Sequence, residues 1–443
     1  MARPRRIAFV SEHASPLELL GGEDAGGQNV YVAETSRQLA RLGYAVDVFT
    51  RRAAADAPDV VAFAPGVRVV HVPAGPARFV AKDALWPLMP AFRDHLLRFA
   101  RRGGARYDLL HGHFWMSGWV AAEAGPALGA PVVQLFHALG TTKRRHQGAA
   151  DTSPPDRIAA ERRIARAADR VVAQCPSERD ELLADYGAAP ERIAVIPAGV
   201  DTVRFRPVPQ EEARRRLGLG PDDLTIVYVG RLLPRKDIRN IVRALALLRH
   251  RADLPVRLFV VGGEGAEPDP LVTPEIGAVQ RLAAELGVAD RVVCTGKRQP
   301  DELRWYYGAG DVAVTTPWYE PFGLTPLEAM ACGRPVVGAA VGGIAYTVVD
   351  GATGALVPPR DPAALAERLA FLLARPGLRA QLGAAARARV EREFTWVRTA
   401  QRTAALYDEV LRERRATSDE RRAGAPPVWG VGPLAAAPDE ASE

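Results

Sequence analysis

Cysteine is nearly absent from this 443-residue chain: Cys175, Cys294 and Cys332 are the only three, odd in number and far apart. Such usage excludes a disulfide framework and a cysteine-built zinc site, and it suits a reducing compartment, so a cytoplasmic location is expected. Lysine is also scarce, with Lys82, Lys143, Lys236 and Lys297 supplying four of the 58 basic residues. Where arginine is the default cation, a retained lysine marks a place that uses a compact ammonium group. No uninterrupted apolar run approaches the ~18 residues of a membrane span. The apolar stretch Ile7–Val10 behind the basic start is shorter than the roughly 7–15-residue core of a signal peptide and reads as a first strand. Internal repeats of solenoid length are absent. The formal net charge of +6 admits nucleic acid or an anionic membrane as partners, but the arginines sit among acids on helical stretches such as Glu161–Arg166. Solvated helix faces are the expected reading.

What is present is an alternation. Short β-branched runs recur between helical patterns at Ile7–Val10, Val46–Thr50, Val67–Val72, Leu109–His113, Val132–Phe136, Val171–Ala173 and Ile193–Ile196. A second series follows at Thr225–Val229, Arg257–Val261, Arg291–Thr295, Val312–Thr315 and Val336–Gly338. This is the pattern of parallel α/β sheets, and a chain this long exceeds the size at which one core stops growing. The expected organisation is an N-terminal doubly wound domain over 1–204, a Pro- and Arg-rich linker over 205–221, and a second doubly wound domain over 222–394. A helix over 395–415 is expected to pack back on the first domain, ahead of a disordered tail over 416–443. Loops at the C-terminal strand ends of both sheets then face a shared cleft, where ligands bind.

The most informative segment is PWYEPFGLTPLEAMACGRPVVGAAVGG. Glu320 precedes Phe322-Gly323-Leu324-Thr325, and Glu328 follows on the helix that starts there. Gly323 permits close backbone approach, and the free N–H groups of the helix start favour a phosphate. One carboxylate can grip a hexose and the other a ribose diol, although a carboxylate early in a helix also serves simply as a dipole partner. Gly342 and Gly343 can shape the same wall. After the strand Thr225–Val229, the sequence GRLLPRK brings Arg231 and Lys236 to one loop, where a fork and a point charge suit a diphosphate. Solvated loop cations are the plainer alternative.

In the N-terminal half, the loop after the first strand carries Gly21, Gly22, Gly26 and Gly27 ahead of an amphipathic helix, and reads as a phosphate-approaching loop or a flexible surface loop. His137 ends the strand Val132–Phe136 and is expected to point into the cleft. His111 and His113, flanking Gly112 at another strand end, carry less weight and suit a packing role.

Taken together, these motifs resemble the family-4 retaining glycosyltransferases of the GT-B fold, over about residues 5 to 410. The resemblance implies that Glu320 contacts the transferred sugar, Glu328 the ribose, and Arg231 with Lys236 the diphosphate. Gly26, Gly27, Phe322, Gly323, Leu324 and Thr325 would line the donor site, with Arg298 near the base and His137 at the sugar and reaction face. The catalytic set would be His137, Arg231, Lys236 and Glu320. The segment HASP and the following DAGGQNVYV are similar to the inositol-phosphate and sucrose-phosphate branches of the family, which places Asp24, Asn29, Lys82 and Arg157 on a small, phosphorylated acceptor. Two positions depart from the inositol-phosphate pattern: Phe114 stands where a tyrosine is usual and Ala138 where a threonine is, and each removes a hydroxyl. The donor is expected to be a UDP-sugar, with no metal and no cofactor required, since no Asp-x-Asp motif occurs. A homodimer is admissible. Three rivals stay open: a membrane-associated enzyme using the basic amphipathic stretch Ala91–Arg102 on a lipid-linked acceptor, a phosphorylase or epimerase of the same architecture, and a non-catalytic nucleotide-sugar binder.

Overall fold

The computed structural model describes residues 3–18, 26–102, 106–252 and 255–423. Gly21, Gly22 and Asp24 lie outside them, as do residues 424–443. Two sheets form, each from β-branched runs buried on both faces. The first contains β1 (Arg6–Val10), β2 (Ala45–Arg51), β3 (Val60–Ala64), β4 (Val67–Val72), β5 (Leu109–His113), β6 (Val132–Leu135), β7 (Arg170–Ala173) and β8 (Ile193–Val195). Their order is β3-β4-β2-β1-β5-β6-β7-β8. The second holds β9 (Leu224–Val229), β10 (Val256–Val261), β11 (Val292–Gly296), β12 (Val312–Thr315), β13 (Val336–Ala339) and β14 (Gly354–Val357), in the order β11-β10-β9-β12-β13-β14. Pairing is parallel throughout except between β3 and β4, an antiparallel edge.

In both sheets the order reverses beside the first strand, β1 or β9. Crevices at the C-terminal strand ends form at such switch points, and here the two crevices face each other. One apolar cluster runs through the whole junction, from Phe9, Tyr31 and Leu39 to Phe322, Phe394, Trp396 and Tyr407. The chain crosses between the domains twice, side by side: the Val200 N–H donates to the Phe394 carbonyl at 2.8 Å.

Two segments differ from the sequence expectation. The 205–221 stretch is not a bare linker, because Gln210–Arg216 is a helix packed on Pro300–Ala309. Its acids lie in the first turn and its arginines in the last, which suits the helix dipole, and Arg214 pairs with buried Asp311 at 2.9 Å. The final helix, Trp396–Ala423, runs eight residues past the expected end. Glu and Arg continue the helix-favouring composition there, and the breakers Gly424 and Pro426 come only afterwards. This helix lies on Gly27–Arg41 of the first domain. Asp408 pairs with Arg5 and accepts from the Tyr44 hydroxyl at 3.4 Å, while Glu409 and Glu413 hold Arg170 at 2.9 and 2.6 Å.

The helix Met89–Arg102 is strongly amphipathic, but Met89, Phe92, Leu96 and Ala100 are buried, packed toward the helix Trp115–Leu128. Its apolar face is thus used inside the domain and is not available to a bilayer, which counts against the membrane rival. Among the described residues no helix is long and apolar enough to cross a membrane.

Candidate active site

A cleft lies between the domains, bounded by Leu139, Thr142 and Glu178 from the first and by Tyr319, Glu320 and Gly342 from the second. Tyr319 links the two walls. Its hydroxyl accepts from Gln147 Nε2 at 2.5 Å, and its ring stacks on His146 with centroids 5.0 Å apart. Cys175 Sγ donates to the Pro321 carbonyl at 3.4 Å just beside it.

On the second-domain side, β9 ends at Gly230, and a short 3-10 turn, Pro234–Lys236, follows. Lys236 reaches across to β12's following loop and pairs with Glu320. Arg235, which the sequence reading passed over, stands 4.0 Å from the same carboxylate. Burial alone would raise the Glu320 carboxyl, but Lys236 and Arg235 outweigh it and hold it below its ordinary value. Glu320 is therefore ionised at neutral pH. Arg231 is exposed at the strand end, on the same loop.

The Phe322-Gly323 turn is held from behind. Gly323 takes φ 87° and caps the helix Leu324–Ala331, while the Gly343 N–H donates to the Glu320 carbonyl at 3.1 Å. A Cβ on Gly342 would sit 1.9 Å from that carbonyl oxygen, so the approach admits only glycine. Glu328 Oε2 accepts from the Tyr307 hydroxyl at 3.0 Å, and burial pushes the carboxyl up to about 7. Thr325 offers its carbonyl to the same hydroxyl at 3.3 Å. Gly230, Gly262 and Gly296 meet at the ends of β9, β10 and β11, where Gly230 N–H donates to Val261 and Gly262 N–H to Gly296, both at 3.0 Å. This leaves a floor of bare backbone. Arg298 stands at its rim with its guanidinium already engaged by the Tyr306 hydroxyl at 2.9 Å and the Ala266 carbonyl at 2.8 Å.

On the first-domain side, the helix Gly27–Arg41 starts at Gly26, and a Cβ on Gly27 would meet Leu324 of the other domain at 3.5 Å. The two helix starts thus oppose each other. Asn29 is buried: it accepts from the Gly26 N–H and donates to the Ser15 carbonyl, both at 3.0 Å, so it ties the glycine loop to the chain. Arg157 is similarly occupied. It is 2% exposed, pairs with Glu161 at 2.8 Å and donates to Ser153 Oγ at 3.1 Å and to the Ala138 carbonyl at 2.7 Å. Both Arg157 and Lys82 lie over the Phe114 ring, at 5.0 and 5.7 Å from its centroid. Phe114 itself takes φ 82°.

His137, φ 60°, stands at the end of β6 beside the cavity residues Ala138 and Leu139. Its Nε2 meets His113 Nδ1 at 3.1 Å, and burial holds both imidazoles well below their usual range. The sequence reading missed a buried carboxylate next door: Glu12 bonds the His13 ring at Nδ1 (2.8 Å) and the Ser117 hydroxyl. Nothing in the spacing of these residues signals the contact with Ser117, which the fold makes between β1 and a distant helix. Among the described residues no group of three His, Cys, Asp or Glu is arranged to hold a metal ion.

Comparison with known proteins places this geometry. A model for glycosyl transferases group 1 matches residues 209–389, and one for Glycosyltransferase Family 4 matches 25–204. The chain is 42% identical over 425 residues to a D-inositol 3-phosphate glycosyltransferase of Acidothermus cellulolyticus, covering 95% of this chain and 94% of that one. A protein of the same name from Geodermatophilus obscurus is 40% identical, with 97% and 96% covered. Among solved structures, a sucrose-phosphate synthase from Thermosynechococcus elongatus superposes with a TM-score of 0.83 at 34% identity, covering 92% of this chain and all of that one. HepE of Anabaena, solved with UDP and glucose, shares the fold at a TM-score of 0.70 and 21% identity, with 91% and 100% covered.

Proposed function

Because this chain belongs to the family-4 glycosyltransferases, retaining enzymes of the GT-B fold, we propose that it transfers a hexosyl group from a UDP-sugar to a hydroxyl of a small phosphorylated acceptor. The observation that carries the reading is the pairing of ionised Glu320 with Lys236 on one side of the Phe322-Gly323 turn and Glu328 with Tyr307 on the other. In this reading Glu328 takes the ribose diol and Glu320 the hexose. Lys236 and Arg231 meet the diphosphate together with the opposed helix starts at Gly26-Gly27 and Gly323-Leu324-Thr325. Phe322, buried under the turn, fixes its backbone. Arg298 lines the base through its loop, since its guanidinium is engaged elsewhere.

The bond from the anomeric carbon to the diphosphate oxygen breaks while the acceptor oxygen bonds to the same face of that carbon. The acceptor's proton passes to the departing diphosphate. The protein positions the partners and stabilises the charge that develops on the leaving group. Three cations, Arg231, Arg235 and Lys236, supply positive charge where other enzymes use a divalent ion, so no metal or cofactor is assigned. On the acceptor side Lys82 is the ammonium group that faces a phosphate, whereas Arg157 and Asn29 hold the walls. The relatives described above are named for inositol 3-phosphate and sucrose phosphate, which supports a phosphorylated acceptor.

The test is nucleoside diphosphate release from UDP-, GDP- and ADP-sugars, with and without inositol phosphates and hexose phosphates, followed by mass spectrometry of the product. A glycosylated phosphate ester is expected from a UDP-sugar. Absence of turnover with every donor would sink the reading and favour a non-catalytic binder. Lys236→Ala is expected to lower kcat by about 10²–10³-fold, the scale of removing one charge-stabilising donor; unchanged kcat removes Lys236 from the mechanism.

A further inference from the structure

Three imidazoles form a column at the ends of β5 and β6. His111 stacks on His113 with centroids 4.3 Å apart, and His113 Nδ1 meets His137 Nε2 at 3.1 Å. At the far end His111 Nδ1 meets the Tyr407 hydroxyl of the final helix at 2.6 Å. Of the three, only His137 is given a role by the family resemblance. Two atoms define the rest: Nε2 of His111 and Nε2 of His113 are sealed from solvent with no hydrogen-bond partner among the described residues. Nδ1 of His137 is bonded to no group among the described residues and is not among the sealed atoms, so it is the open edge of that ring.

These facts bear on where the protons sit. A buried N–H without an acceptor is the rarer and costlier defect, whereas an unmet acceptor is better tolerated. His113, with nothing to receive a proton at Nε2, therefore carries it on Nδ1 and donates to His137 Nε2. The second imidazole is then bare at Nε2 and protonated at Nδ1. Burial keeps both rings neutral, so neither nitrogen of His137 gains a further proton at neutral pH.

We infer that His113, braced by His111 and Tyr407, is a positioning residue that sets the tautomer of His137 and makes its open Nδ1 edge a hydrogen-bond donor to an oxygen of the bound nucleotide sugar. The second half of this statement rests on the glycosyltransfer reading; the tautomer itself does not. Phe9, packed edge-on against His111 and tilted against His113, and Tyr31, edge-on against His137, hold the column from the side.

The experiment is a two-bond ¹⁵N–¹H correlation on the full chain labelled at histidine, with His137 assigned by the loss of its signals in His137→Gln. A protonated Nδ1 and bare Nε2 are expected; the opposite tautomer in the wild type overturns the inference. His113→Leu removes the donor that fixes the tautomer, and His137 is expected to lose its single Nδ1-protonated form and show both tautomers in exchange. It should lower kcat/KM for the nucleotide sugar about ten- to hundredfold, the effect of one lost hydrogen bond to a charged or charge-developing group, with the Kd of the nucleoside diphosphate alone unchanged. His113→Asn, whose side-chain N–H falls where Nδ1–H stood, is expected to restore kcat/KM to within about threefold of wild type, since it returns that one donor. Should His113→Leu not fold, the wild-type tautomer and His113→Asn decide. Wild-type kcat/KM in a folded His113→Leu, or no rescue by Asn, overturns the positioning role. Failure of the wild type to consume any nucleotide sugar would instead remove the function while leaving the tautomer measurement to stand or fall by itself.

Discussion

Gly342→Ala places one methyl group against the backbone that aims Glu320. The added Cβ would lie 1.9 Å from the Glu320 carbonyl oxygen and 3.0 Å from its carbon, and both atoms are main chain, so no side chain can turn aside. Restoring an ordinary contact of about 3.4 Å requires a shift of roughly 1.5 Å. The residue also sits at φ 43°, which adds about 1–2 kcal/mol for any side chain. Overpacking of this kind costs about 1–3 kcal/mol, so the total is about 2–5 kcal/mol and the melting temperature should fall by roughly 4–20 °C. The catalytic effect is larger, because a 1 Å misplacement of a positioning group can cost about a hundredfold. Gly351→Ala is the control: φ is 73° there, yet nothing lies within 4 Å, so it carries the backbone strain without the collision. The assay is kcat/KM for the nucleotide sugar beside thermal unfolding of both variants. If Gly342→Ala loses stability but keeps wild-type kcat/KM, the link between this backbone contact and Glu320 is wrong.

Arg157→Ala is expected to destabilise the fold by about 3–5 kcal/mol, because it strands the buried Glu161; a wild-type urea midpoint with only a raised acceptor KM would instead make Arg157 a direct ligand contact. Glu328, at about 7 in the free chain, must be ionised to accept two ribose hydroxyls, so UDP affinity should weaken by up to about tenfold per pH unit below pH 7. Calorimetry between pH 5.5 and 8 measures this, and Glu328→Gln should flatten it; an equally steep profile in the variant would contradict the assignment. The same carboxyl, raised above its unfolded value, favours the folded chain at low pH, and that contribution is lost as pH rises through about 7.

Much of the architecture was legible because buried parallel strands are short, continuous β-branched runs. Val67–Val72, Leu109–His113 and Val312–Thr315 appear with the expected ends. The two missed strands lack that signal. Val60–Ala64 has alanine at two of its five positions and lies on an antiparallel edge, partly exposed, and Gly354–Val357 opens with Gly-Ala. In the site, Glu320, Gly323 and Glu328 were legible since one turn and one helix carry them. What the sequence could not tell was who meets whom: Lys236 lies 84 residues from Glu320, and His111 lies 296 from Tyr407. Such contacts come from tertiary packing and leave no periodic trace. Asn29 and Arg157 were assigned to an acceptor from motif position alone, and the fold gives each protein partners.

The return of the final helix to the first domain has a consequence for synthesis. Arg5 and Asp408 are separated by 403 residues, so the first domain emerges from the ribosome well before the helix that covers Tyr31 and Tyr44. At about 5–20 residues per second, the 200-odd residues between the end of β8 and the final helix take roughly 10–40 s. For that interval an apolar strip is bare while the second domain is being made. A nascent chain of this topology therefore carries that strip uncovered until its last helix is made, and slower translation of the second domain would prolong the exposure without altering one residue of the product.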